Sequence, residues 1–262
     1  SVITMIFWSF GFLRMGTTGM VAQSLGKGDY REIALGFLRN LCVAAIISLI
    51  IMLSKNQILL LIEEYFNTSP EIHSLIKKYI SIRLLSAPAE LTIYVLVGFY
   101  LGLQKTVISS FIITFFCVSN IIASSYFVLI LDMNIYGVAL GTVLAAYITV
   151  FIFIIQTYFF IKKEFNILPR YKKIFIPKKL LKLFNINIDI FIRTILLTFA
   201  FLWIAYQGSL LGDDYLAVNS ILLQFIMIAS FFLDAYAFST EGIVGFSLGK
   251  KVKKSFLLLV KN

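Results

Sequence analysis

Long apolar runs alternate with short polar loops along most of this 262-residue chain. Spans of about twenty apolar residues are long enough to cross a bilayer as helices. Seven such spans are predicted, at residues 2–25, 34–54, 79–103, 107–130, 135–161, 190–211 and 216–248. The pattern therefore predicts an all-α membrane protein that crosses the bilayer several times.

Composition supports the same class. Sixty per cent of the residues are hydrophobic and only 14% are charged, which is far too little charge for the surface of a water-soluble domain. The first span lacks the basic start and the cleavage site of a signal peptide, so we expect it to be a helix. Cys42 and Cys117 lie inside apolar runs, which disfavours a disulfide or a metal site.

The net charge of +10 is unevenly distributed. Alternate loops carry Lys27, Arg31, Lys105 and the basic clusters within 162–182 and 250–254, whereas the other loops carry most of the acids. Basic loops of membrane proteins face the cytoplasm, so the charge predicts topology rather than nucleic-acid binding. We expect an inner-membrane protein whose basic linker, residues 162–189, lies in the cytoplasm and contacts anionic lipid.

An eleven-residue element occurs twice. TTGMVAQSLGK begins at Thr17 and TEGIVGFSLGK begins at Thr240, with seven identical positions. The two copies begin at residues 17 and 240, so the repeat period is 240 − 17 = 223 residues. A period of this length is typical of transporters built from two similar halves, with sites near the interface between the halves. We expect an N-terminal lobe at 1–161, the linker at 162–189, and the start of a C-terminal lobe at 190–262. If the period holds, two six-helix halves make twelve helices, of which about seven are present here.

Ionisable residues inside predicted spans are the first candidates for function, because charge is costly in a membrane. Arg14 lies roughly 16 Å from the basic end of its helix, which is too deep for simple snorkelling. Arg83 and Glu90 share a helix face near Pro88, either as a site or as a packing pair. Asp234 and Glu241 share another face, with Asn219 and Gln224 earlier in that span, and could bind cationic substrates or protons.

Several motifs together resemble the multidrug and toxic compound extrusion (MATE) family, and most closely its DNA-damage-inducible branch. They are GFLRMGTTGMVAQSLGKGD, YISIRLLSAPAEL, YGVALGT, FIRT and DAYAFSTEGIVGFSLGK. The resemblance implies a two-lobed, twelve-helix exporter of cationic or amphipathic compounds, driven by antiport of protons or sodium. It also implies that Arg193, within FIRT, is a charged position typical of the branch.

The resemblance further implies a cation-coupling site in the first lobe. The positions that match it are Tyr79, Asn120, Ser124 and Thr142. Ser124 departs from the family pattern, which has Asp there, and a hydroxyl does not titrate near neutral pH. A proton site with two carboxylates is therefore not expected in the present residues.

We expect a secondary active multidrug efflux transporter, not an enzyme, because the chain has no HExxH, P-loop or cysteine cluster. No cofactor, bound metal, nucleic acid or obligate protein partner is expected. Two alternatives stay open. A lipid-linked precursor flippase would bring Arg14, Arg83 and Arg193 together in a basic cavity, and a truncated remnant would not transport.

Overall fold

The structure is a computed structural model that describes residues 2–65, 70–165, 177–210 and 213–250. Every regular element in these ranges is helical. In chain order they are α1 (Val2–Ser9), α2 (Phe12–Gly26), α3 (Tyr30–Leu53), α4 (Lys55–Tyr65), α5 (Pro70–Arg83), α6 (Ala87–Gly102), α7 (Thr106–Ser125), α8 (Asn134–Phe165), α9 (Pro177–Leu210) and α10 (Asp213–Lys250). The all-α prediction is confirmed.

Five helical segments of the described chain are long and apolar enough to cross a membrane. They are Tyr30–Leu53, Ser74–Gly102, Thr106–Ile130, Asn134–Phe165 and Ile221–Lys250, and each coincides with a predicted span. The first predicted span is divided, because α1 ends at Ser9 and α2 begins at Phe12. The predicted span 190–211 lies in the second half of α9.

Helix α6 is the centre of the packing. Its residues Leu91, Val95 and Leu96 are completely buried, and α6 contacts α2, α3, α7, α8 and α10. Gly102 brings the backbone of α6 against α2, since a Cβ at this position would stand 2.7 Å from the Thr18 carbonyl oxygen. Small residues allow such close approach, and van der Waals contact is a main source of helix association in lipid.

The turn between α2 and α3 follows from the sequence Lys27–Gly28–Asp29. Gly28 has a φ of +70°, a left-handed conformation that glycine adopts without strain. Asp29 then caps α3, because its side chain accepts a hydrogen bond of 2.9 Å from the Glu32 amide. This turn reverses the chain at the basic end of the bundle.

The two copies of the repeated element pack against each other where α2 crosses α10. A Cβ added at Gly249 would collide with the Gln23 carbonyl oxygen and lie 2.9 Å from the Gly26 Cα. Gly245 stands opposite Ala22 in the same crossing. The element therefore forms the contact between the two predicted lobes, at their basic end.

The predicted linker 162–189 is helical at both of its ends. Helix α8 continues to Phe165, and α9 already begins at Pro177. Residues 166–176 lie outside the described part of the chain. The basic stretch 178–184 of this linker belongs to the start of α9.

Candidate functional site

The chain breaks from regular α-helix between α5 and α6. Leu84–Ser86 forms a 3₁₀ turn, and Pro88 follows in the first turn of α6. Proline has no amide hydrogen, so the break leaves carbonyl groups that need other donors. One such donor is the Tyr147 hydroxyl on α8, which donates a 3.0 Å hydrogen bond to the Leu85 carbonyl.

Arg83 and Glu90 form an ion pair across this break. Their side chains are only 14% and 12% exposed. Arg83 also donates to the Ser86 hydroxyl, which in turn donates to Glu90 Oε1 at 2.8 Å. The Arg83 guanidinium lies 5.2 Å from the centre of the Phe7 ring. The Glu90 charge is thus balanced by a neighbouring cation and a hydroxyl.

Arg14 projects from α2 toward α10. Its guanidinium lies 3.6 Å from the centre of the Phe238 ring, a cation–π contact that is favourable away from water. Arg14 is also within electrostatic range of Glu241 and Asp234. Its Nη1 atom is buried and has no hydrogen-bond partner among the described residues.

A cavity of about 400 Å³ lies between α2, α6, α7 and α10, and is called the central cavity below. Its charged wall groups are Arg14 and Glu90. The rest of the wall combines apolar side chains with a few polar ones: Ile93, Tyr94, Val97, Leu101, Ser109, Ser110, Ile113, Phe116, Cys117 and Phe238. Mostly apolar walls with a few polar groups are the usual form of a small-molecule site.

The residues matched to the family's cation-coupling site lie at the junction of α7 with α8. Ser124 packs directly on Gly141, and its buried hydroxyl has no hydrogen-bond partner in the described part of the chain. The adjacent Thr142 donates to the Val138 carbonyl of its own helix. Asn120 lies half-buried one turn from Ser124, and Tyr79 is half-buried on α5, which packs against α8.

The acidic candidates on α10 lie beside the central cavity rather than in its wall. Asp234 and Gln224 are exposed in the described chain, whereas Glu241 is half-buried. Asn219 reaches α9, where its amide donates to the Ile204 carbonyl at 3.3 Å. Arg193 on α9 is exposed. The structure thus joins Arg14 and Glu90 in the wall of one cavity, and Arg193 is not among the residues that line it.

Sequence reasoning missed a second buried charge pair. Arg39 on α3 is 1% exposed and donates a 2.6 Å hydrogen bond to Glu32. The signal was available, since these residues are seven apart, like Arg83 and Glu90. Arg39 was overlooked because it lies close to the start of its span, where a basic residue is expected to reach water.

Tyr94 was also missed, because aromatic residues are common in apolar spans. In the structure it lines the central cavity, within electrostatic range of Arg14, Arg83 and Glu90. Within the described ranges, no group of three or more His, Cys, Asp or Glu side chains is placed so that it could hold a metal ion.

Comparison with known proteins agrees with the motifs. The family model described as MatE matches residues 1–127. The DNA damage-inducible protein F of Escherichia coli is 30% identical over 246 residues, covering 94% of this chain and 53% of that protein. The chain thus spans about half the length of this curated relative, and the predicted branch is confirmed.

Solved structures share the fold. A MOP superfamily transporter from Pyrococcus furiosus, described as having a binding pocket of reverse polarity, superimposes with a TM-score of 0.86 at 17% identity. An outward-facing multidrug resistance MATE family transporter superimposes with a TM-score of 0.85, also at 17% identity. Each comparison covers 98% of this chain and 57% of the other. With the family model, the relative and the shared fold in agreement, this chain belongs to the multidrug and toxic compound extrusion family.

Proposed function

We propose that this protein is a secondary active exporter of amphipathic compounds, driven by cation antiport. The observation that supports it is the central cavity at the contact between the predicted lobes, which combines aromatic rings and apolar walls with Arg14, whose buried Nη1 atom lacks a hydrogen-bond partner in the described chain. Transporter sites commonly lie at such a contact between structural repeats.

Alternating access would use the crossing of α2 and α10. The backbones meet at Gly26 and Gly249, where the basic end is closed by direct packing. The central cavity lies deeper, beyond this contact, at the level of Arg14 and Phe238. Rocking of one lobe against the other would separate the glycines and open the cavity to the basic side, which we infer to be the cytoplasm.

Ion coupling would act through the first lobe. Asn120, Ser124, Thr142 and Tyr79 supply amide and hydroxyl groups at the packed faces of α5, α7 and α8. The amide of Asn120 and the hydroxyls of Ser124 and Thr142 are not acid–base groups, so proton antiport requires a carboxylate elsewhere. Oxygen ligands of this kind also suit sodium, which keeps sodium as the second candidate ion.

The flippase alternative receives less support. It expects Arg14, Arg83 and Arg193 to converge, whereas Arg83 is paired with Glu90 and Arg193 is exposed on α9. Asp234 and Glu241, which were expected to bind cationic substrates or protons, are likewise not among the residues that line the central cavity. The charges that enter the cavity wall are those of Arg14 and Glu90.

Transport by the full chain in proteoliposomes tests the proposed function. We expect accumulated rhodamine 6G or 1-anilinonaphthalene-8-sulfonate to move when a proton or a sodium gradient is imposed, and to stop when that gradient is dissipated. Transport that survives the loss of both gradients would refute antiport. Movement of neither dye under either gradient would instead favour the non-transporting remnant.

A further inference from the structure

We propose that the central cavity binds an amphipathic anion, with its acidic group held by Arg14 and its apolar part against α6 and α7. The proposal rests on the proposed export function only in taking this molecule as cargo. It differs from the cationic cargo that the sequence motifs imply. Four features of the cavity support it.

The first feature is the unused donor of Arg14. Its Nη1 atom is buried and lacks an acceptor within the described chain. Leaving a buried charged donor unsatisfied is costly, so an arriving acceptor is favoured. The planar guanidinium matches carboxylates, sulfonates and phosphates, which accept two parallel hydrogen bonds. Phe238 covers a face of the group, which leaves the N–H edge for the ligand.

The second feature is that Glu90 offers little to a cationic ligand. Its carboxylate already accepts from Arg83 and from the Ser86 hydroxyl. A cationic cargo would have to displace Arg83 from a nearly buried pair, which would leave that guanidinium without a partner. Of the two charged groups in the cavity wall, Arg14 is therefore the one with unused capacity.

The third feature is the placement of the nearby carboxylates. Glu241 and Asp234 attract Arg14 electrostatically from α10, but Nη1 still lacks an acceptor. Asp234 is exposed, so its field at Arg14 is weakened by solvent. A ligand acid in direct contact makes a shorter, charge-assisted hydrogen bond than these more distant groups supply.

The fourth feature is the apolar wall, which selects an amphipathic rather than a small inorganic anion. Ile93, Val97 and Ile113 line the cavity together with Phe116. The Ser109 hydroxyl is already used, since it donates to the Val97 carbonyl at 3.1 Å. A volume of about 400 Å³ lies within the range of sites for organic ligands.

The test is a comparison of three dyes in binding to the full chain, purified in lipid nanodiscs and measured by calorimetry. 1-Anilinonaphthalene-8-sulfonate is the anionic probe, N-phenyl-1-naphthylamine is its neutral counterpart without the sulfonate, and rhodamine 6G is cationic. Empty nanodiscs give the lipid background for each. We expect the sulfonate to bind at least about tenfold more tightly than its neutral counterpart, the scale of a hydrogen bond to a charged group.

Variants then assign this preference to Arg14. Arg14→Gln should abolish it while leaving the neutral dye within about twofold, and Arg14→Lys should keep part of it because the charge remains. Arg31→Gln is the matched control, since Arg31 is exposed at the start of α3 and outside the cavity. It should change neither affinity.

The proposal is overturned if the unaltered protein binds both naphthylamine dyes equally, if it prefers rhodamine 6G, or if Arg14→Gln retains the preference for the sulfonate. The affinities of the three dyes for the unaltered protein can be compared without any variant. That comparison therefore tests the proposal even if Arg14→Gln fails to fold. Binding is measured without a gradient. If the protein does not transport but still binds the sulfonate dye more tightly than the neutral dye, only the proposed export function is refuted. If it transports but does not prefer the sulfonate dye, only the anion site at Arg14 is refuted.

Discussion

At the scale of single residues, the described chain holds two ion pairs whose members are close in sequence, and it leaves a buried donor of Arg14 without a hydrogen-bond partner. Glu32 with Arg39, and Arg83 with Glu90, are each seven positions apart, two helical turns. Each charge thus has an opposite charge beside it, which offsets part of the cost of placing it away from water. Arg14 is different, because its Nη1 atom is unpaired in the described chain.

A double-mutant cycle tests the pair of Arg83 and Glu90. Arg83→Gln or Glu90→Gln alone should lower the free energy of unfolding by about 3 kcal/mol, because each leaves a nearly buried charge. The double variant should cost less than the sum, by about 1–3 kcal/mol. Unfolding in detergent micelles measures both quantities, with Arg31→Gln as the exposed control. Additive losses would show that the two side chains do not depend on each other.

At the scale of elements, the break between α5 and α6 shows how a proline can accompany a cluster of polar side chains within an apolar span. Pro88 supplies no amide hydrogen, and the 3₁₀ turn before it brings Arg83, Ser86 and Glu90 together. Tyr147 stabilises the break from α8. The wall of the central cavity begins at this element, since Glu90 belongs to it.

Tyr147→Phe tests that contact. The substitution removes the hydroxyl that donates to the Leu85 carbonyl and keeps the ring, so it should lower the free energy of unfolding by about 1 kcal/mol. Tyr158→Phe, on an exposed ring of the same helix, is the control and should have little effect. Equal effects of the two variants would mean that the break needs no donor from α8.

The crossing of α2 with α10 is tested by adding one methyl group. Gly249→Ala places a Cβ against the Gln23 carbonyl and the Gly26 Cα, so it should cost about 1–3 kcal/mol through overpacking. Gly19→Ala is the matched control, because nothing lies within 4 Å of its added Cβ. It should be neutral or stabilising, since alanine favours helix. The thermal unfolding temperatures of the two variants are compared. If Gly249→Ala is as stable as Gly19→Ala, close packing of α2 against α10 is excluded.

At the scale of the whole molecule, the basic residues gather at one end of the helices. Lys105 lies 4.2 Å from the centre of the Phe160 ring, near the end of α8, and Tyr30 stacks on Phe165. Lys27 and Lys250 are the last residues of the two copies of the repeated element, at that same end. This agrees with the topology expected from the alternation of basic and acidic loops.

The sequence was sufficient to predict the helices but not the walls of the cavity. Apolar length determines a membrane span, and periodicity shows which residues share a helix face, so Arg83 and Glu90 could be grouped in advance. Which helix faces which depends on close packing, such as Gly102 against Thr18. For this reason the sequence did not show that Tyr94 lines the central cavity, or that Asp234 lies outside its wall.

The central claim is that cargo binds in the central cavity, and Cys117 allows a direct measurement because it lies in that wall. Cys42 on α3 is the other cysteine of this chain and is replaced by serine. The rate at which N-ethylmaleimide labels Cys117 is then measured with and without saturating cargo. We predict that cargo slows the labelling several-fold, and that Arg14→Gln removes this protection for 1-anilinonaphthalene-8-sulfonate. An unchanged labelling rate at a cargo concentration that saturates transport would contradict the account.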